Sequence, residues 1–266
     1  MSYVGNNKVG SSDKDTIKIK IYVEKRMIEK MDFEIEKKEL VEYLCSLRRE
    51  PINDELAIKM AENLIEIYPE KVEGKKILCV VLSLLGHIDF QTGFYNSAAK
   101  RADRAIKLYV EENLRQAESE LLQFLISYSY IDLGKCAEKT GDYEKALEYY
   151  HHVDRDIVPY VQTCIIDIYK DDMVRYGGTI ETELEQLEQV ILDEEKIWDI
   201  QCAETFRLLK YLYENVKEGQ EKLELYTEKS RHYNEKVGFE QMMMSDDPDL
   251  DCYVGKAVAL LKKEME

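Results

Sequence analysis

From Pro51 onward, apolar residues recur every three or four positions, the spacing that places them on one face of an α-helix. The 266 residues include only 4 Pro and 12 Gly, which are too few for the many tight turns of a β-sandwich or barrel. Short connections between successive helical segments favour antiparallel neighbours stacked in chain order. The pattern therefore predicts a mainly α fold.

Pro69, Gly93 and Gly141 interrupt the helical pattern, so each is expected to lie between two helices. Pro159 marks a further boundary. Beyond it, helices are predicted at Tyr160–Tyr176, Glu181–Lys196, Ile197–Lys217, Gln220–Val237 and Leu250–Met265.

Near the start of the chain a two-residue period competes with the helical one. Apolar residues alternate with more polar ones over Ile17–Val23 and again over Met31–Glu36. We therefore predict a short N-terminal β-hairpin, followed by a helix over Lys37–Arg49. The predicted organisation is a flexible N-terminus over 1–15, the hairpin and helix over 16–50, a helical array over 51–240, and a loop with a C-terminal capping helix over 241–266.

The segment Tyr130–Tyr150 carries the most specific motif in the chain, YIDLGKCAEKTGDYEKALEYY. It resembles a tetratricopeptide repeat (TPR), the 34-residue helix–turn–helix unit. The matching positions are, in order, Tyr130, Leu133-Gly134, Gly141, Tyr143, Ala146 and Tyr150. The repeat ends irregularly, because the family's later Ala is Val153 here and its terminal Pro is displaced by one residue. With weaker matches elsewhere, the resemblance implies a TPR-like α-solenoid, an antiparallel array of helix pairs.

In that family the first helices of successive units line a concave groove that binds peptides or partner helices. Placing Gly134 at its family position directs four side chains toward such a groove: Tyr128, Ile131, Lys135 and Glu138. The two charged ones are expected to be exposed there. The alternative interpretation assigns all four to the ordinary core or surface of a long helix.

The charge of the chain is strongly negative, with 37 basic against 54 acidic residues and a formal net charge of −17. Because nucleic-acid affinity comes from cations that displace phosphate counterions, direct nucleic-acid binding is not expected. Residues 180–251 hold 8 basic and 20 acidic residues, a net of −12. This acidity is predicted either to be solvated helix surface or to steer a basic protein or peptide. The predicted acidic face comprises Glu181, Glu185, Glu188, Glu194 and Glu195.

Residue types that carry chemistry are present, but their spacing matches no known site. His151 and His152 point to different helix faces, and the Asp247, Asp249 and Asp251 series lacks the Gly and bidentate Glu of a calcium loop. No nucleotide-binding or nucleophile motif occurs, and six cysteines are widely spaced. We therefore expect no catalytic residue, no metal and no cofactor, and reduced cysteines in a cytoplasmic protein.

These observations predict a non-enzymatic adaptor or regulator that binds a protein or peptide in a TPR-like concave groove. One alternative is an acidic inhibitor or chaperone-like protein that shields a basic partner or mimics nucleic acid. A second is a peptide-responsive bacterial regulator. No membrane partner is expected, because no stretch reaches the ~18 uncharged apolar residues of a membrane span. Oligomerisation is compatible with all three functions.

Overall fold

The computed structural model describes residues 32–44, 54–117, 119–191, 198–243 and 248–265, and these are almost entirely helical. The prediction of a mainly α fold is confirmed. None of the described helices is long and apolar enough to cross a membrane. In chain order the helices are α1 at 32–44, α2 at Asp54–Ile67, α3 at Val72–Gln91, α4 at Tyr95–Glu111, α5 at Glu120–Lys139, α6 at Tyr143–Tyr150, α7 at Val161–Asp171, α8 at Met173–Val190, α9 at Asp199–Asn215, α10 at Gln220–Met243 and α11 at Pro248–Met265.

The predicted N-terminal hairpin is not confirmed. Residues 32–36, which the alternation assigned to the second strand, lie in α1. The helical period prevails there because it gathers the apolar side chains on one buried face. That face consists of Phe33, Leu40, Val41 and Leu44. The first predicted strand, Ile17–Val23, lies outside the described residues.

Consecutive helices pack against each other as pairs: α3 with α4, α5 with α6, α7 with α8, and α9 with α10. The turns within the first two pairs contain glycines with positive φ, 85° at Gly93 and 76° at Gly141. Residues with a Cβ rarely adopt this conformation. Asp142 then caps α6, its carboxylate accepting a hydrogen bond from the Lys145 backbone N–H at 3.2 Å. The interruptions predicted at these two glycines are confirmed.

The contact between α5 and α6 depends on a missing side chain at Gly134. A Cβ added there would lie 2.2 Å from Cε1 of Tyr150, a side chain that is fully buried. Ala146, on the same helix as Tyr150, is also fully buried. The absence of a side chain at Gly134 therefore lets α5 and α6 approach closely at Tyr150.

The boundary between α7 and α8 differs from the prediction of a helix running to Tyr176. Helix α7 ends at Asp171, and the next residue, Asp172, caps α8 by accepting a hydrogen bond from the Arg175 backbone N–H at 3.3 Å. Gly177 and Gly178, which follow the predicted end at Tyr176, lie inside α8. A cap that satisfies a free N–H thus sets the boundary, while two glycines only weaken the helix by roughly 1 kcal/mol each.

Helix α11 falls in the segment predicted to hold a C-terminal capping helix, and its capping role stays a prediction. Its main contacts are with α3 and α5. The helix therefore lies back across the first half of the described chain.

The close contact at Gly134 generates a stability prediction. Gly134→Ala should lower the free energy of unfolding by about 1–3 kcal/mol, because the added methyl group overlaps the buried Tyr150 ring. Chemical denaturation followed by circular dichroism measures this change. The matched control is Gly178→Ala, also within a helix but with nothing near the added Cβ, which should be neutral or stabilising. A Gly134→Ala protein as stable as the parent chain would contradict the packing described here.

Candidate functional site

A cleft of about 590 Å³ lies between the first helices of three successive pairs, α5, α7 and α9. Its size is within the range of pockets that bind small molecules or the side chains of a peptide. We call it the α5–α7–α9 cleft. It is lined by Lys135, Tyr160, Thr163, Cys164, Asp167, Lys170, Asp171, Glu204, Arg207, Leu208 and Tyr211.

Small polar side chains hold the two walls α7 and α9 together beneath the cleft. The hydroxyls of Thr163 and Thr205 lie 2.8 Å apart, and Thr205 Oγ1 also donates to the carbonyl of Gln201 at 2.8 Å. Both threonines are buried. Because the two hydroxyls pair with each other, this buried contact between α7 and α9 leaves neither hydroxyl unsatisfied.

Most of the charged groups in the cleft are paired with one another. Tyr160 Oη donates a hydrogen bond to Glu204, and Lys170 Nζ lies 2.6 Å from Asp167 Oδ1. Arg207 differs, because it is exposed and makes no ion pair with any residue that the structure describes. The cleft therefore offers one guanidinium to a ligand among side chains that already satisfy each other.

Lys135 enters the cleft from α5, as the groove prediction proposed, but its side chain is only 24% exposed. Its ammonium lies 3.5 Å from Glu138 Oε2. Burial lowers the pKa of Lys135, but the neighbouring carboxylates of Glu138, Glu204 and Asp167 act against it, and the net shift is upward. Lys135 is therefore a stable cation at neutral pH.

Glu138 was expected to be exposed beside Lys135, and this expectation is wrong. Its side chain is 19% exposed and accepts a hydrogen bond from Tyr150 Oη. Burial raises the pKa of Glu138, whereas Lys135 and the Tyr150 hydroxyl act to lower it. The carboxylate thus joins α5 to α6 and serves the fold.

The other two predicted groove residues, Tyr128 and Ile131, are buried in the core. Tyr128 Oη accepts a hydrogen bond from Gln201 Nε2 at 2.9 Å, and its ring stacks on Trp198 with 5.4 Å between centroids. The ring of Tyr253 lies on it at 5.0 Å. Residues from the start of α9 and from α11 thus cover the surface that the resemblance assigned to a partner.

The described side chains of the predicted acidic face have different roles: one is exposed on the surface and one bonds helices together. Glu185 is exposed, whereas the side chain of Glu188 is 15% exposed and fully engaged. Its carboxylate accepts hydrogen bonds from Lys222 at 2.6 Å, Tyr213 at 2.6 Å and Tyr226 at 3.0 Å. Burial raises the pKa of Glu188, but these hydrogen bonds lower it by a larger amount, so the net shift of the pKa is downward. Glu188 thus fastens α8 to α9 and α10.

The remaining members of the acidic face lie outside the described residues. This holds for Glu194, Glu195 and the side chain of Glu181. Their contribution to an acidic surface stays a prediction.

The chemistry available in the cleft is that of hydrogen bonds and ion pairs. Cys164 is its nucleophile by residue type, yet burial raises the pKa of this thiol to about 12. At neutral pH it is therefore protonated, and the thiol is a much weaker nucleophile than the thiolate. Among the described residues, no group of three His, Cys, Asp or Glu side chains is placed to hold a metal ion.

The contacts of Glu188 generate a prediction about stability and pH. Glu188→Gln removes the charge but keeps an acceptor, so it should cost about 1 kcal/mol at pH 7, the difference between charged and neutral hydrogen bonds. Because folding lowers the pKa of Glu188, its stabilisation is present above the unfolded pKa of about 4.3. It is lost as the pH falls through the lower folded pKa. Urea denaturation from pH 7 to 3 measures both effects.

The matched control for Glu188 is Glu185→Gln, on the same helix but exposed, which should change stability by less than about 0.5 kcal/mol. The stability difference between the Glu188→Gln protein and the parent chain should shrink in acid. A difference that is equal for both substitutions, or that does not depend on pH, would show that Glu188 is an ordinary surface carboxylate.

Comparison with known proteins gave no matching family model and no significant match among curated proteins or solved structures. The resemblance of Tyr130–Tyr150 to a tetratricopeptide repeat therefore rests on the motif and on the packing of its two helices.

Proposed function

We propose that the chain is a non-enzymatic protein- or peptide-binding module, and that a segment of its partner lies in the α5–α7–α9 cleft. The observation that carries the proposal is the exposed Arg207 in a cleft whose other charged groups are largely paired internally. A guanidinium forms strong, directional contacts with a carboxylate, so the favoured ligand presents an Asp, a Glu or a C-terminal carboxylate.

An exposed aromatic ring gives the cleft a second point of recognition. Tyr211 lies one helical turn after Arg207 on α9 and is 40% exposed, with Lys170 Nζ 5.7 Å from its ring centre. An aromatic or aliphatic side chain of the ligand would cover this ring. The proposed ligand therefore combines a carboxylate with a neighbouring apolar residue, as an extended or helical peptide can.

The arrangement of helices supports a TPR-like interpretation of the cleft. Helices α5, α7 and α9 are the first members of their pairs, and first helices line the binding groove in a tetratricopeptide array. In this proposal the groove is shifted toward Lys135 and α9, because Tyr128 and Ile131 are buried.

The competing proposal is that an acidic surface recruits a basic partner. It is supported by the net charge of −12 over 180–251 and by the exposure of Glu185. Glu188 adds little to it, since its carboxylate is already neutralised by Lys222. The salt dependence of binding distinguishes the two proposals. Only the acidic surface requires the affinity to collapse as the salt concentration rises.

Binding can be tested by selecting peptides from a random library with the intact chain. Selected peptides should carry an acidic residue next to an apolar one, and Arg207→Ala should weaken their binding at least 5-fold, about 1 kcal/mol. Fluorescence anisotropy measures the affinity. The matched control is Lys210→Ala on the same helix, where the lysine pairs with Glu214 at 3.1 Å, and it should leave binding unchanged.

The opposite outcome is equally specific. Selected peptides that are basic, bind with the same affinity to the Arg207→Ala chain, and are released when Glu185 is neutralised would move the binding site to the acidic surface.

A further inference from the structure

Helix α11 packs on α3 and α5 with a buried apolar face whose one aromatic side chain is Tyr253, which we call the anchor. This side chain is fully buried. Its ring centre lies 3.9 Å from that of His87 on α3, and 5.5 Å and 5.0 Å from those of Phe124 and Tyr128 on α5. A single buried aromatic surrounded by other rings is the arrangement that dominates the energy of helix-binding surfaces.

A carboxylate fixes the other end of α11. Glu264 Oε1 accepts hydrogen bonds from Ser119 Oγ at 2.6 Å and from the Leu121 backbone N–H at 3.3 Å. These donors are at the N-terminus of α5, where the helix dipole favours a negative charge. Lys263 Nζ also lies 2.9 Å from Glu120. Anchor and carboxylate are eleven residues apart, about 16 Å along a helix.

The pocket around Tyr253, as far as the chain is described, leaves one polar atom of this side chain without a partner. The hydroxyl of Tyr253 is buried and has no hydrogen-bond partner among the described residues. Burying a hydroxyl without a partner costs free energy. A phenylalanine at this place would fill the same ring pocket without that cost, so the surface recognises the ring and tolerates the hydroxyl.

We propose that α11 is an internal ligand, and that the α3–α5 surface beneath it binds an amphipathic helix of a partner protein. That helix carries a phenylalanine at the place of Tyr253 and a carboxylate eleven residues later. It binds at the position of α11 after α11 has been displaced. The proposal goes beyond the α5–α7–α9 cleft, because it concerns a different surface and a different ligand.

The test uses the 266-residue chain and fluorescein-labelled synthetic peptides that span residues 248–265. The peptide should bind a Tyr253→Ala chain at least 10-fold more tightly than the parent chain, because the competing internal helix is weakened. A peptide carrying Tyr253→Phe should bind several-fold more tightly than the natural sequence, and peptides carrying Tyr253→Ala or Glu264→Ala at least 10-fold more weakly. Anisotropy measures all the affinities.

A second variant keeps the test valid if the cavity in Tyr253→Ala unfolds the chain, which circular dichroism reports. Glu264→Ala loosens α11 at its exposed end without creating a cavity, and it should also improve peptide binding. The matched control is Lys262→Ala, an exposed residue two positions away, which should bind the peptide as weakly as the parent chain.

Three outcomes would overturn the proposal. The first is equal peptide affinity for the parent chain and both loosened chains, and the second is binding that does not depend on the aromatic anchor. The third is dimerisation of the loosened chains by exchange of α11 without binding of added peptide, which would assign the surface to a second copy of the chain. Peptides selected for the α5–α7–α9 cleft should not displace the labelled peptide, so the two proposals can fail independently.

Discussion

Two polar contacts buried between α3 and α5 fix how the first half of the described chain is assembled. His87 Nδ1 lies 3.0 Å from Asp132 Oδ1, and Ser129 Oγ donates to Ser83 Oγ at 3.1 Å. All four side chains are buried among apolar neighbours. Sliding either helix by one turn would break both contacts between the helices, and a buried polar group that loses its partner costs roughly 1–3 kcal/mol. The two contacts therefore define one register, and α4, α6 and α11 are positioned on α5 in that register.

The sequence predicts features whose cause lies within a few residues. The turn at Gly141, the cap at Asp142 and the close contact of Gly134 with Tyr150 all belong to one segment of 21 residues. Turn, capping and close-packing preferences act within this segment, so its sequence motif is sufficient to predict these features. The α7–α8 boundary differs from the predicted helix Tyr160–Tyr176, because Asp172 caps a new helix inside that range.

Which side chains of α5 are exposed depends on contacts with residues far away in the chain. The sequence predicted these contacts less well. Tyr128 was assigned to the correct helix, but Trp198 and Tyr253 cover it from 70 and 125 residues away. No spacing rule reports that contact. A weaker signal for the cleft does exist in the helical spacing of its polar residues. These are Tyr160 at the N-cap of α7, Thr163, Asp167 and Lys170 on α7, and Glu204, Arg207 and Tyr211 on α9.

Tyr128 also connects the two proposed binding surfaces. Its ring is covered on one side by Trp198 and bound at the hydroxyl by Gln201, both at the start of α9, and it is covered by Tyr253 of α11. Helix α9 forms one wall of the α5–α7–α9 cleft. Removal of α11 would take one ring from Tyr128 and leave it in contact with the start of α9 and with the rings of His87 and Phe124. A ligand that replaces α11 with a better-fitting ring would preserve this support, whereas an empty surface would weaken the wall that carries Arg207.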